Sequence, residues 1–192
     1  MTSLFCAAPE MELAKRRRRV VNPSMKVVSL VLTVVALLLT AGCKPKPKDI
    51  SPLQRKEAAN LVSEAQFALT LRDYARAEPL FEKATKLCPD AGEYWVNLGV
   101  TRRRLGNKSG AKTAYEGALS AYHDAHEINA KDVDSYLQEV YVLALLGKLD
   151  DARKVLEKAR KSFPDNRNVR AFSENKQLEH IVDDPTFKEI AL

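Results

Sequence analysis

One pattern of small and large apolar residues recurs three times along this chain, and it restricts the fold more than any other feature. Ala77, Phe81, Ala84 and Pro89 form the first copy. Ala111, Tyr115 and Ala118 form the second, and Ala152, Leu156, Ala159 and Pro164 the third. Within each copy the spacing of four and then three residues puts the apolar positions on one helical face. Ala77 and Ala111 are 34 residues apart, and Ala111 and Ala152 are 41 apart, which is the same period with seven residues added. Ahead of the middle copy stand Trp95, Leu98 and Gly99, then Leu105-Gly106. This reads as two short amphipathic helices joined by a tight turn. The small residues let two helix backbones approach closely, and the aromatic and aliphatic ones fill the space beside them. One such hairpin cannot bury its own apolar faces, so the chain must stack copies of it.

These residues resemble the tetratricopeptide repeat, a 34-residue helix-turn-helix unit. Trp95, Leu98, Gly99, Gly106, Ala111, Tyr115 and Ala118 carry the resemblance in the middle copy. Leu61, Ala65, Ala77, Phe81, Ala84 and Pro89 carry it in the first, and Tyr136, Gly147, Ala152, Leu156, Ala159 and Pro164 in the third. Two positions depart from the pattern. Arg102 stands where an aromatic or apolar residue is usual, and Arg72 replaces the turn glycine of the first copy. The resemblance implies an all-α fold, a superhelical array of three repeats over about 58–91, 92–132 and 133–166. A C-terminal capping helix follows within 167–192, and an apolar signal helix precedes the array. Ser51-Pro52 predicts the first helix start. Seven extra residues are close to two helical turns, so they predict a protruding second helix in the middle repeat rather than a loop. One amphipathic helix is expected from Asn166 to Val182, with Val169, Phe172 and Leu178 on its apolar side, and a last short turn from Asp184 to Phe187.

The formal charge of +6 suggests nucleic acid until it is located. Residues 1–42 hold six Lys or Arg against two acids, which leaves 25 basic and 23 acidic residues in the remainder. The repeats are therefore nearly neutral, and no nucleic-acid partner is expected. From Val27 to Leu39 the chain is almost wholly apolar behind Lys26, as in a secretory signal, and too short for a membrane span. Leu39-Thr40-Ala41-Gly42-Cys43 resembles a bacterial lipobox, which implies cleavage before Cys43 and lipidation of its thiol. Thr40 departs from the usual leucine. An uncleaved signal anchor is the alternative. Met25-Lys26 would itself open a conventional leader, with residues 1–24 an upstream extension. Residues 43–50, with Lys and Pro alternating, predict an extended spacer between bilayer and repeats. Lys44 is not the aspartate associated with inner-membrane retention, so an outer-membrane location facing the periplasm is expected.

No Gly-rich phosphate loop, HExxH, GxSxG or cysteine pair occurs, so no enzyme, cofactor or small-molecule substrate is expected. Cys88 reads as a half-buried packing residue. His123 and His126 lie one turn apart on the extension, with no third ligand at a clear spacing, and read as solvated; no metal site is expected. Helix-pair superhelices offer a groove lined by the first helix of each pair. The candidates there are Val62, Gln66, Leu69, Val96, Val100, Arg103, Asp134, Leu137 and Tyr141. Some family members clamp a peptide carboxylate with Lys, Asn and Arg. The matching positions hold Val62, Gln66, Asn97, Asp134 and Gln138, of which only Asn97 agrees, so that activity is not implied. Arg102, Arg103 and Arg104 either bind an acidic segment or decorate a helix end. The function expected is a lipid-anchored scaffold that binds a protein or peptide partner at the cell envelope. A fixed structural subunit of an envelope assembly is the alternative.

Overall fold

A computed structural model describes residues 49–174 and 176–192. The expected signal helix, Cys43 and most of the Lys/Pro spacer lie outside these residues. Six helices form three antiparallel hairpins: α1 (Pro52–Thr70) with α2 (Tyr74–Leu87), α3 (Gly92–Arg104) with α4 (Lys108–Ile128), and α5 (Val133–Leu145) with α6 (Leu149–Ser162). Three short helices follow, α7 (Arg167–Glu174), α8 (Gln177–Asp183) and α9 (Pro185–Ile190). Among the described residues no helix is long and apolar enough to cross a membrane.

Local signals place the boundaries. Ser51 and Gln54 form a reciprocal capping box, with Gln54 N donating to Ser51 Oγ at 3.3 Å and Ser51 N to Gln54 Oε1 at 3.0 Å. Asp73, Asn107 and Asp132 each accept from a backbone N–H three residues on, capping α2, α4 and α5. The three turns inside the hairpins are closed alike. The amides of Asp73, Asn107 and Lys148 donate back to the carbonyls of Ala68, Arg102 and Leu143 at 2.8–2.9 Å. That closure needs a left-handed residue just before the donor, and Arg72, Gly106 and Gly147 supply it with φ of +57°, +79° and +70°.

Packing follows the small residues. Ala77, Ala84, Ala111, Ala114, Ala118, Ala152 and Ala159 are fully buried. Three glycines of the middle hairpin each lie under an aromatic ring: Gly99 under Tyr115, Gly92 under Tyr122 and Gly117 under Trp95. A Cβ on Gly92 or Gly117 would stand 2.6 or 2.7 Å from ring carbons, closer than carbon atoms pack. Arg102, at the position where an aromatic is usual, is half-buried. Its Nε donates to Glu78 at 2.9 Å, and it also pairs with Glu82, so an ion pair to α2 replaces the apolar contact.

The added residues do lengthen a helix, since α4 has 21 residues against 14 in each of α2 and α6. One side of the extension is packed rather than free, because Tyr122 covers Gly92 and His126 is buried. The cap differs from expectation. The single helix predicted for 166–182 is two, α7 and α8, with Lys176 left-handed at φ +48° between them. The turn sends their apolar residues to different places. Val169 of α7 packs with Tyr136 and Ala159, and Leu178 of α8 packs with Tyr115 and Val140 in the larger core.

Candidate partner-binding face

Helices α1, α3 and α5 come first in their pairs and carry all the candidate groove residues. The structure divides these residues into three groups. Val62 is only 8% exposed and belongs to the core of the first hairpin, so it does not face a partner. Gln66 and Asp134 are exposed, while Leu69, Val96 and Leu137 are half-buried, with Leu137 packed beside Tyr136 and Val169. The third group, Val100, Arg103 and Tyr141, lies beneath the chain's own segment 184–192.

That segment is fastened at both apolar and polar points. Asp184 caps α9, accepting from the amides of Thr186 and Phe187 at 2.7 and 3.0 Å, and these donors hold its carboxyl below the usual aspartate range. Phe187 is buried, with its ring edge-on to Tyr141 at 5.7 Å, and Ile190 is buried beside it. Tyr115 Oη donates to Ile190 O at 2.7 Å, and Arg103 Nε donates to Ala191 O at 2.8 Å. Leu192 N donates to Leu145 O at 2.9 Å. Arg104 pairs with Glu189. Burial drives the Tyr115 phenol well above its ordinary pKa, which keeps the hydroxyl a donor throughout the physiological range. All three arginines of the Arg102–Arg104 run are thus engaged within the chain. Arg104 does bind an acidic residue, and it is the chain's own.

Segment 184–192 was visible in the sequence only as a short turn. Its apolar pair, Phe187 and Ile190, sits three residues apart behind an Asp-Pro start, which is a helix signal, but nothing in it names Arg103, Tyr115 or Leu145 as partners. A further unexpected grouping lies on the α4 extension. His126 is 3% exposed, with Nε2 2.6 Å from Glu139 Oε2. His123 is half exposed, with Nδ1 3.9 Å from Glu139 Oε1. The expectation of two solvated histidines therefore fails for His126, because α5 packs against the extension there. Cys88 is fully buried rather than half-buried, 3.9 Å from Gln54 O, and burial raises its thiol pKa. An open cleft of about 650 Å³ lies between α6, α7 and α8. Two pairs of its charged residues are joined, Arg160 with Glu157 and Arg153 with Glu179.

Two tetratricopeptide-repeat family models match, one over residues 62–126 and one over 111–174, together more than half of the chain. The chain is a tetratricopeptide-repeat protein. No curated protein matches it. Tetratricopeptide repeats generally mediate protein–protein interaction, and here α3, α4 and α5 hold a peptide segment of the chain itself.

Proposed function

We propose that this tetratricopeptide-repeat protein is a lipid-anchored scaffold of a bacterial cell envelope, binding a protein or peptide segment on the face formed by α1, α3 and α5. One observation carries the binding half of this reading. Arg103 at the end of α3, Tyr115 of α4 and Tyr141 of α5 already grip a peptide, segment 184–192, through two apolar anchors and donors aimed at backbone carbonyls. Carbonyl-directed hydrogen bonds accept any sequence, and apolar anchors select among sequences. Gln66, Leu69 and Asp134 extend the same face beyond the occupied part. The anchoring half rests on the sequence Leu39–Cys43, and the outer-membrane, periplasm-facing location rests on Lys44.

The intact mass of the purified mature protein tests the anchor. It should fall by the mass of residues 1–42 and rise by that of acyl chains, and Cys43→Ser should abolish both changes. An unmodified full-length mass would remove the anchor from the proposal. Crosslinking in intact envelopes tests the partner, with a discrete adduct expected at positions 66 and 134 and none at buried position 62. The occupied inner face supports a second reading, a fixed subunit that docks by its outer surfaces. In that case detergent-solubilised protein should elute from size exclusion in a large stable complex, with no crosslink from the inner face.

A further inference from the structure

The geometry points to a transition-metal site, best matched to zinc, formed by His123, His126 and Glu139 where the elongated α4 meets α5. Three features of the grouping carry this. The ligand atoms come from two elements, and all lie within 4.8 Å of one another. Two imidazole nitrogens and one carboxylate oxygen make a donor set that suits zinc, with a fourth position left to water or another ligand. The histidines sit on the seven residues by which α4 exceeds α2 and α6, so the departure from the repeat period supplies the ligands.

A hydrogen-bonded His126–Glu139 pair alone does not account for the arrangement. Such a pair needs one imidazole, yet the exposed His123 also turns its Nδ1 toward the second carboxylate oxygen. Glu139 is 8% exposed, and among the described residues its charged contacts are these two histidines, with no Lys or Arg. A buried carboxylate needs a positive partner, and a divalent ion would provide one. Ligand atoms about 2.0–2.1 Å from a tetrahedral ion stand about 3.3 Å apart. The distances of 2.6 and 3.9 Å run to different oxygens of Glu139, and one ligand atom from each residue lies within 4.8 Å of the others, so binding an ion draws the three side chains together. The His126 ring is held for the purpose, stacked on Tyr136 at 4.1 Å and nearly parallel, while Phe163 abuts Tyr136 from another side. His123 is the exposed member, so the fourth position opens to solvent on its side. A bound ion would pin α4 to α5 and fix the angle between the second and third repeats.

The test is calorimetric titration of zinc chloride into the chelator-stripped full chain in detergent. One ion per chain is expected, with a dissociation constant of 10 μM or tighter, along with a melting midpoint that rises by a few degrees. His123→Ala and Glu139→Gln should each weaken binding at least tenfold, while the third histidine supplies the control and His180→Ala should leave it unchanged. His123 is exposed, so its variant decides the matter even if Glu139→Gln perturbs folding. Cobalt should give the intense visible bands of a tetrahedral site in the parent and lose them in His123→Ala. No saturable binding at one ion per chain overturns the site, as does binding that survives His123→Ala or is lost in His180→Ala.

Discussion

Arg72 holds a backbone conformation that its own side chain disfavours. Its φ of +57° matches those of Gly106 and Gly147 in the equivalent turns, and an L side chain there costs roughly 1–2 kcal/mol. Arg72→Gly relieves that strain but adds freedom to the unfolded chain. The expected net effect is stabilisation by about 1 kcal/mol, seen as a higher urea midpoint with an unchanged slope. Gly99 presents the opposite case, because its missing Cβ is the space that the Tyr115 ring fills. Gly99→Ala should destabilise by about 2 kcal/mol, within the usual range for overpacking. It should also loosen segment 184–192, since a displaced Tyr115 loses its hydrogen bond to Ile190 O. Both positions were legible beforehand. The 34-residue frame aligned Arg72 with two glycines, and it marked Gly99 as a point of close helix approach.

At the scale of elements, the hairpins were readable and the docking of α9 was not, for a physical reason. Hairpins are written in side chains: alternating small and large residues, caps, and turn glycines at fixed offsets. The hydrogen bonds that seat α9 end on backbone, the carbonyls of Ile190, Ala191 and Leu145, which every sequence possesses. The break between α7 and α8 was hidden in the same way, since it answers to which cluster Val169 and Leu178 each join. Burial of the α4 extension required knowing that α5 brings Glu139 to His126. Phe187 is the one side chain whose removal should unseat α9 as a unit. Phe187→Ala is expected to cost that element about 3 kcal/mol, so that amides of 184–192 exchange freely while those of the three hairpins stay protected. Acid should act on the same element through Asp184. Its folded pKa is depressed by the amide donors of Phe187 and Thr186, so its contribution is present above the ordinary aspartate value and is lost as pH falls through the depressed one. Protection factors for 184–192, corrected for intrinsic exchange, should therefore drop below about pH 4 ahead of those of α1–α6.

For the molecule as a whole, the question is whether the inner face recognises a peptide or merely closes over its own chain. Stacked repeats leave an inner surface that no neighbouring repeat covers, and here part of it is covered from within. A short tether holds segment 184–192 at an effective concentration in the millimolar range, enough to saturate even a weak site and to exclude a competitor. A labelled synthetic peptide of residues 183–192 should therefore fail to bind the parent protein. It should bind the full-length Phe187→Ala variant, whose own segment has been unseated, with a dissociation constant between about 10 μM and 1 mM by fluorescence anisotropy. Arg103→Ala in that background removes the donor to Ala191 O and should weaken binding severalfold, and a scrambled peptide should not bind. Hydrogen exchange on the same variant shows whether the face is open. If it is open and the native peptide still does not bind, the contacts to Tyr115, Arg103 and Tyr141 succeed only because the segment is covalently attached. The inner face would then be a closed structural seam, and partners would have to dock on the outer helices.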